Sequence, residues 1–145
     1  MPATSDQTRA AIETYVKAWL TNDKALLLSI FAEDAVWIDP VGTPPFVGHD
    51  GVARFWDFAH AGPKRSLAPR VEEIRVGGNE GLLRFVMEVR VPELNQGLDL
   101  SVIDYFLIGD DGRIKLAKAF WDASHAKAPP GMTLFAPNVD QAHQS

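Results

Sequence analysis

The sequence predicts an α+β domain whose helices pack on one face of a curved, mostly antiparallel sheet. Three observations predict it. Apolar residues recur at helical spacing only ahead of the turn AGPKR at Ala61–Arg65. Beyond that turn, apolar and polar residues alternate with a period of two. The connectors between those alternating runs, GGNEG, PELNQG and GDDG, are rich in turn residues. Helices first and strands later is the order of an α+β domain. A chain of 145 residues suits one core, and no internal repeat or second domain is visible.

Each element has its own signal. Thr4 and Gln7 form a capping box, and Ile12, Tyr15, Val16, Trp19 and Leu20 follow at helical spacing, which predicts a helix over 5–20. Asn22 and Asp23 break it and cap a second helix carrying Leu26, Leu27, Ile30 and Phe31. Ala35 to Asp39 is a short strand, and 40–48 a Pro/Gly loop. Asp50 opens a third helix through Val52, Phe55, Trp56 and Ala59. Four strands follow: Leu67 to Val76, Leu82 to Val91, Leu98 to Ile108 and Arg113 to Trp121. The domain therefore spans 1–126, and 127–145 reads as an irregular tail.

Composition narrows the function. The chain is 46% hydrophobic and 23% charged, with net charge −5, so neither nucleic acid nor an anionic membrane is an expected partner. It has no cysteine, which removes disulfides, thiolate chemistry and Cys-ligated zinc. The N-terminus lacks a signal-peptide pattern, and no apolar run approaches the ~20 residues of a membrane span. The expected compartment is the cytoplasm. The chain has no G-x-S-x-G, P-loop, dinucleotide-binding glycine pattern or H-E-x-x-H. His49, His60, His125 and His143 show no metal-ligand spacing, and His49 is expected in solvent. No metal or organic cofactor is expected.

Two acids are out of place. Asp39 ends an apolar strand and precedes Pro40, which pushes it into extended geometry, on the same side as Ala35 and Trp37. It reads either as a turn-initiating Asp-Pro or as a general base at the mouth of an apolar cavity. Asp104 shares one strand face with Leu98, Leu100, Val102, Phe106 and Ile108. A buried carboxylate must be paired, hydrogen-bonded or protonated. Arg84 or Arg90 could pair with it, although both fall on the more polar face of their strand. Tyr15 lies on the apolar stripe of the first helix and, taken alone, reads as core. So do Trp19, Trp37, Trp56 and Trp121.

Taken together these residues form a pattern: TY at Thr14–Tyr15, ND at Asn22–Asp23, AEDAVWIDPVG at Ala32–Gly42 and IDYF at Ile103–Phe106. In order and spacing it resembles the bacterial ketosteroid isomerases (steroid Δ5-isomerases) over residues 9–122. These belong to the cone-shaped SnoaL-like superfamily of nuclear transport factor 2. The resemblance implies that Asp39 carries a proton from C4 to C6 of a Δ5-3-ketosteroid. Tyr15 and a protonated Asp104 would donate to the C3 oxygen. A neutral carboxylic acid acting as an oxyanion donor is a property of that family, inherited here through the resemblance. It further implies a cofactor-free isomerase with a small hydrophobic ligand, a steroid, as partner, and a homodimer. Phe55, Trp56, Ala117, Ala119 and Trp121 would line the ligand pocket. The Asp39–Pro40 bond would be cis, a form that proline makes accessible. One departure stands out: the family often has a tyrosine after the helix-three phenylalanine, and here Trp56 occupies that place.

Fold alone does not choose among activities. An epoxide hydrolase, dehydratase or polyketide cyclase of the same superfamily stays open, as does a non-catalytic binding module. The hydrolase reading needs an arginine bridging two aspartates, and the dehydratase reading a pocket histidine. Arg84 and His125 are the candidates.

Overall fold

The computed structural model describes residues 1–136, so the part of the expected irregular tail from 137 to 145 lies outside the described residues. Helix α1 runs Ser5–Leu20. Thr4 caps it, accepting from the Gln7 backbone N–H at 3.1 Å, while the Gln7 side chain accepts from the Thr4 N–H at 2.8 Å. Asp23 caps the short helix α2 (Lys24–Ile30) by accepting from Leu26 N at 3.0 Å. Phe31, expected on that helix, instead adopts extended geometry and opens strand β1 (Phe31–Ile38). Its fully buried ring joins the core from the strand. The expected strand Ala35–Asp39 is therefore longer at its start and ends one residue sooner.

The loop expected over 40–48 contains a two-residue strand, β2 (Phe46–Val47), paired antiparallel with Val36 and Trp37. Helix α3 (Gly48–His60) follows directly. His49 is not in solvent: half-buried, its Nε2–H donates to the Phe31 carbonyl at 2.7 Å. The remaining long strands are β3 (Ser66–Gly77), β4 (Glu80–Val91), β5 (Gln96–Ile108) and β6 (Ile114–Phe120).

The long path of the sheet is β2-β1-β6-β5-β4-β3. Its pairs are antiparallel except β1 with β6. Register shifts at Phe31/Val36, Val71/Glu73 and Leu107/Ile108 bend the strands. The helices cover the inner face. Helix α1 docks on the β3–β4 turn, where Thr8 Oγ1 donates to the Gly78 carbonyl at 2.8 Å. A Cβ at Gly81 of β4 would sit 2.5 Å from Ile12 Cδ1, so the absence of a side chain there permits the close approach of α1.

The described part of the tail, 127–136, is more regular than its composition suggests. After β6, the two-residue strands β7 (Ala126–Lys127) and β8 (Thr133–Leu134) take up, in turn, the edge of β5 that β6 leaves. Asn95, left-handed at φ 50°, and a Phe135 N–H to Gly97 carbonyl bond of 2.8 Å hold this strap down. Backbone pairing, rather than an apolar pattern, makes these strands. Among the described residues, no helix is long and apolar enough to cross a membrane.

Candidate active site

Between the helices and the inner face of the sheet lies a cavity of about 260 Å³. Its wall is mostly apolar, with Phe55, Phe58, Phe85, Met87, Leu100 and Val102 among its residues. Such walls bind by buried area, while a few placed polar groups orient the ligand.

Asp39 is one of those groups. It follows β1 on the inward side and is 8% exposed. The Asp39–Pro40 peptide is cis, and the next backbone N–H, that of Val41, donates to the Ala119 carbonyl at 2.8 Å. The Trp121 Nε1–H, just past the end of β6, donates to Asp39 Oδ1 at 2.8 Å. Burial raises the Asp39 pKa from 3.8 to about 6, with the Trp121 N–H holding it partly down. At neutral pH this carboxylate is ionised and more basic than a solvated one.

Asp104 sits in the middle of β5, between Leu83 of β4 and Ala119 of β6, and is 3% exposed. The alternation holds along the strand: Leu98, Leu100, Val102, Phe106 and Ile108 are buried with it. No arginine reaches it. Arg84 pairs with Glu72 and Glu73, and Arg90 with Asp99 at 2.8 Å and Glu88. The salt-bridge reading is thereby excluded, and among the described residues Asp104 Oδ1 has no hydrogen-bond partner. Burial first, and then the Asp39 charge, push its pKa well above the usual carboxylate range, against a smaller opposing pull from the Tyr15 hydroxyl. Two aspartates thus share one site, and burial pushes the pKa of both upward.

Tyr15, 3% exposed on α1, is boxed by Phe31, Trp37 and Phe106, the last with ring centroids 5.0 Å away. Burial raises its pKa well above that of a free phenol, and the Asp104 and Asp39 carboxyls add to the effect. It stays a phenol, able to donate.

Tyr15, Asp39, Phe55 and Trp121 stand on the cavity wall as expected, and Asp104 lies just beyond it beside Tyr15. Three expected lining residues are not there. Trp56 follows Phe55 by one residue, about 100° around the helix, so only Phe55 faces the cavity. Its indole packs on Trp19 at 4.5 Å and His60 at 4.4 Å. Ala117 and Ala119 are fully buried opposite Phe106 and Asp104, and their methyls are too short to reach the wall. The wall instead includes Trp19, Arg65, Leu134 and Phe135. Trp19 was legible as the residue one turn beyond Tyr15. Nothing in the sequence marks Arg65, whose guanidinium donates to the carbonyls of Ala59, Ala61 and Pro63 and lies 4.5 Å from the Phe135 ring centroid. Among the described residues, no cluster of three or more His, Asp or Glu side chains could hold a metal.

Residues 12–117 match the family model of the SnoaL-like domain. The chain belongs to the SnoaL-like family. It is 29% identical over 117 residues to a steroid Δ-isomerase of Nocardioides simplex, covering 81% of this chain and 91% of that one. The SnoaL-like fold also superposes on a LEH-like epoxide hydrolase of M. tuberculosis, with TM-score 0.70 and 20% identity over 83% of this chain and 86% of the other. A second solved structure is SalBIII, an epoxide hydrolase/cyclase-like enzyme in pyran ring formation in the polyether salinomycin. It has TM-score 0.74 and 16% identity over 86% and 97% of the two chains. At these identities the two structures speak to the fold alone.

Proposed function

We propose that this SnoaL-like protein is a cofactor-independent isomerase that moves the C5=C6 double bond of a Δ5-3-ketosteroid into conjugation. One observation carries the reading: two buried aspartates with upshifted pKa values, Asp39 and Asp104, gathered with Tyr15 at one apolar cavity. Abstracting a proton α to a ketone needs a base in reach and donors where oxyanion charge develops. Asp39 takes the C4 proton, the C4–H electrons form the C3–C4 double bond of a dienolate, and negative charge collects on O3. Tyr15 and Asp104 donate to O3. Asp39 then returns its proton to C6, the C4=C5 enone forms, and nothing is consumed. The unpartnered Asp104 Oδ1 fits a site whose hydrogen bonds tighten only on substrate.

The epoxide hydrolase reading lacks its arginine. Arg84 lies on the outer face with Glu72 and Glu73, and Arg65 is held by three carbonyls. The dehydratase reading lacks its histidine. His125 is exposed and pairs with Asp122 at 3.2 Å, and no histidine among the described residues lines the cavity. Incubation with 5-androstene-3,17-dione tests the proposal. Growth of the conjugated-enone absorbance, abolished in Asp39→Asn, supports it. No enone from the wild-type protein would exclude it.

A further inference from the structure

Among the described residues, Trp19 Nε1 is the one buried side-chain nitrogen without a hydrogen-bond partner. The Trp121 N–H already serves Asp39, and the Arg65 guanidinium serves three carbonyls. Trp19 is 3% exposed, yet its buried Nε1–H has no partner among the described residues. A buried donor normally finds one, because leaving it unmade costs stability. Core packing alone would be met by an indole-sized apolar surface with no N–H to bury.

Its position says where that donor acts. Trp19 stands four residues beyond Tyr15 on α1, so both side chains share one face of the helix. Their rings meet edge to face, with centroids 6.3 Å apart. The indole is fixed from its other sides by Trp37, Phe55, Trp56 and a parallel His60 ring 5.9 Å away. It is therefore held rigidly beside Tyr15. An indole N–H can only donate and does not titrate. A phenol oxygen that accepts from it keeps its own proton free for another acceptor, either the neighbouring Asp104 carboxyl or a ligand in the cavity.

We infer that Trp19 is a positioning residue for Tyr15: its Nε1–H donates to the Tyr15 hydroxyl oxygen and turns the phenol proton toward the ligand. The effect on charge points the same way. As Tyr15 shares its proton with an oxyanion, its own oxygen gains negative charge, which the Trp19 dipole stabilises. In the structure the indole lowers the Tyr15 pKa, against burial and the Asp104 and Asp39 carboxyls, although the two side chains have not closed to full hydrogen-bond geometry. His60, whose ring stacks on the indole, donates its Nδ1–H to the Trp56 carbonyl at 2.8 Å.

The role of Trp19 in turnover rests on the isomerase reading, while its bond to Tyr15 does not, so the test has two arms. The first is the indole N–H resonance of Trp19, assigned with Trp19→Phe and compared between wild type and Tyr15→Phe. The phenylalanine keeps the neighbouring ring and removes only the hydroxyl. An upfield move of the resonance supports the bond, and an unmoved resonance overturns it. The second arm is turnover of 5-androstene-3,17-dione. Trp19→Phe should lower kcat about tenfold, the worth of one neutral hydrogen bond, with KM within about twofold. In the Tyr15→Phe background the same change should alter kcat less than about twofold. Equal losses in both backgrounds would make Trp19 mere packing. Absent turnover by the wild type would contradict the isomerase reading and leave the resonance to decide the bond.

Discussion

Asp39 puts a functional group where burial alone would not place one, so its removal should separate activity from stability. Asp39→Asn keeps the shape and the acceptor for Trp121 but cannot take a proton. It should lower kcat by about 10²–10⁴-fold, the usual worth of a general base, with steroid binding retained. In the wild type the rate should fall as pH drops through about 6, where Asp39 gains its proton. Stability runs the other way. Below the unfolded value near 3.8, Asp39 is protonated in both states and burial costs little. As pH rises through about 6 that favourable contribution is lost, by about 3 kcal/mol for the full shift. Asp39→Asn should therefore be the more stable protein at neutral pH, and denaturant melts at pH 3.5 and 7 should show its advantage appearing only at the higher value. An advantage equal at both would mean that Asp39 titrates normally. Trp121→Phe removes the N–H that holds the acid down, so the acidic limb of the pH–rate profile should move above about 6. A profile left in place would show that the bond does not tune the base.

At the scale of elements, what could be read from sequence follows the kind of force that makes each one. Helix α1 was legible to the residue because its cap and its apolar stripe are both local. The placement of Asp104 was legible for a similar reason, since a period of two assigns its face whatever the partner strands. Its lack of an arginine was not, because that depends on where β3 and β4 carry their charges. The wall positions of Trp56, Ala117 and Ala119 failed because resemblance supplies a register, and a cavity is shaped by side-chain size. The strands of the strap were not legible: β7 and β8 exist only through backbone pairing with β5. Yet Leu134 and Phe135 reach the cavity, and Arg65 packs over the Phe135 ring. Phe135→Ala should raise KM for a steroid about tenfold, the value of part of one buried aromatic side chain, with kcat nearly unchanged. A fall in kcat at constant KM would place the strap in the chemistry instead.

The whole molecule is a curved sheet that encloses polar chemistry on its inner face and keeps charge on its outer one. Leu82, Ile103 and Phe120 stand 44%, 42% and 48% exposed on that outer face, among Arg84 and Glu73. The homodimer implied by the resemblance would cover this face if it forms. Light scattering should then give twice 15.9 kDa for the wild type and the single mass for Ile103→Glu. A monomeric wild type would remove the dimer without touching the site. The account of the site depends on the fold holding two nearby aspartates in opposite protonation states. The direct measurement is difference infrared spectroscopy of wild type against Asp104→Asn at neutral pH, with and without bound steroid. The account predicts a protonated-carboxyl band for Asp104 in both states. A carboxylate band in both would contradict it, because an ionised Asp104 would repel the oxyanion it is meant to stabilise.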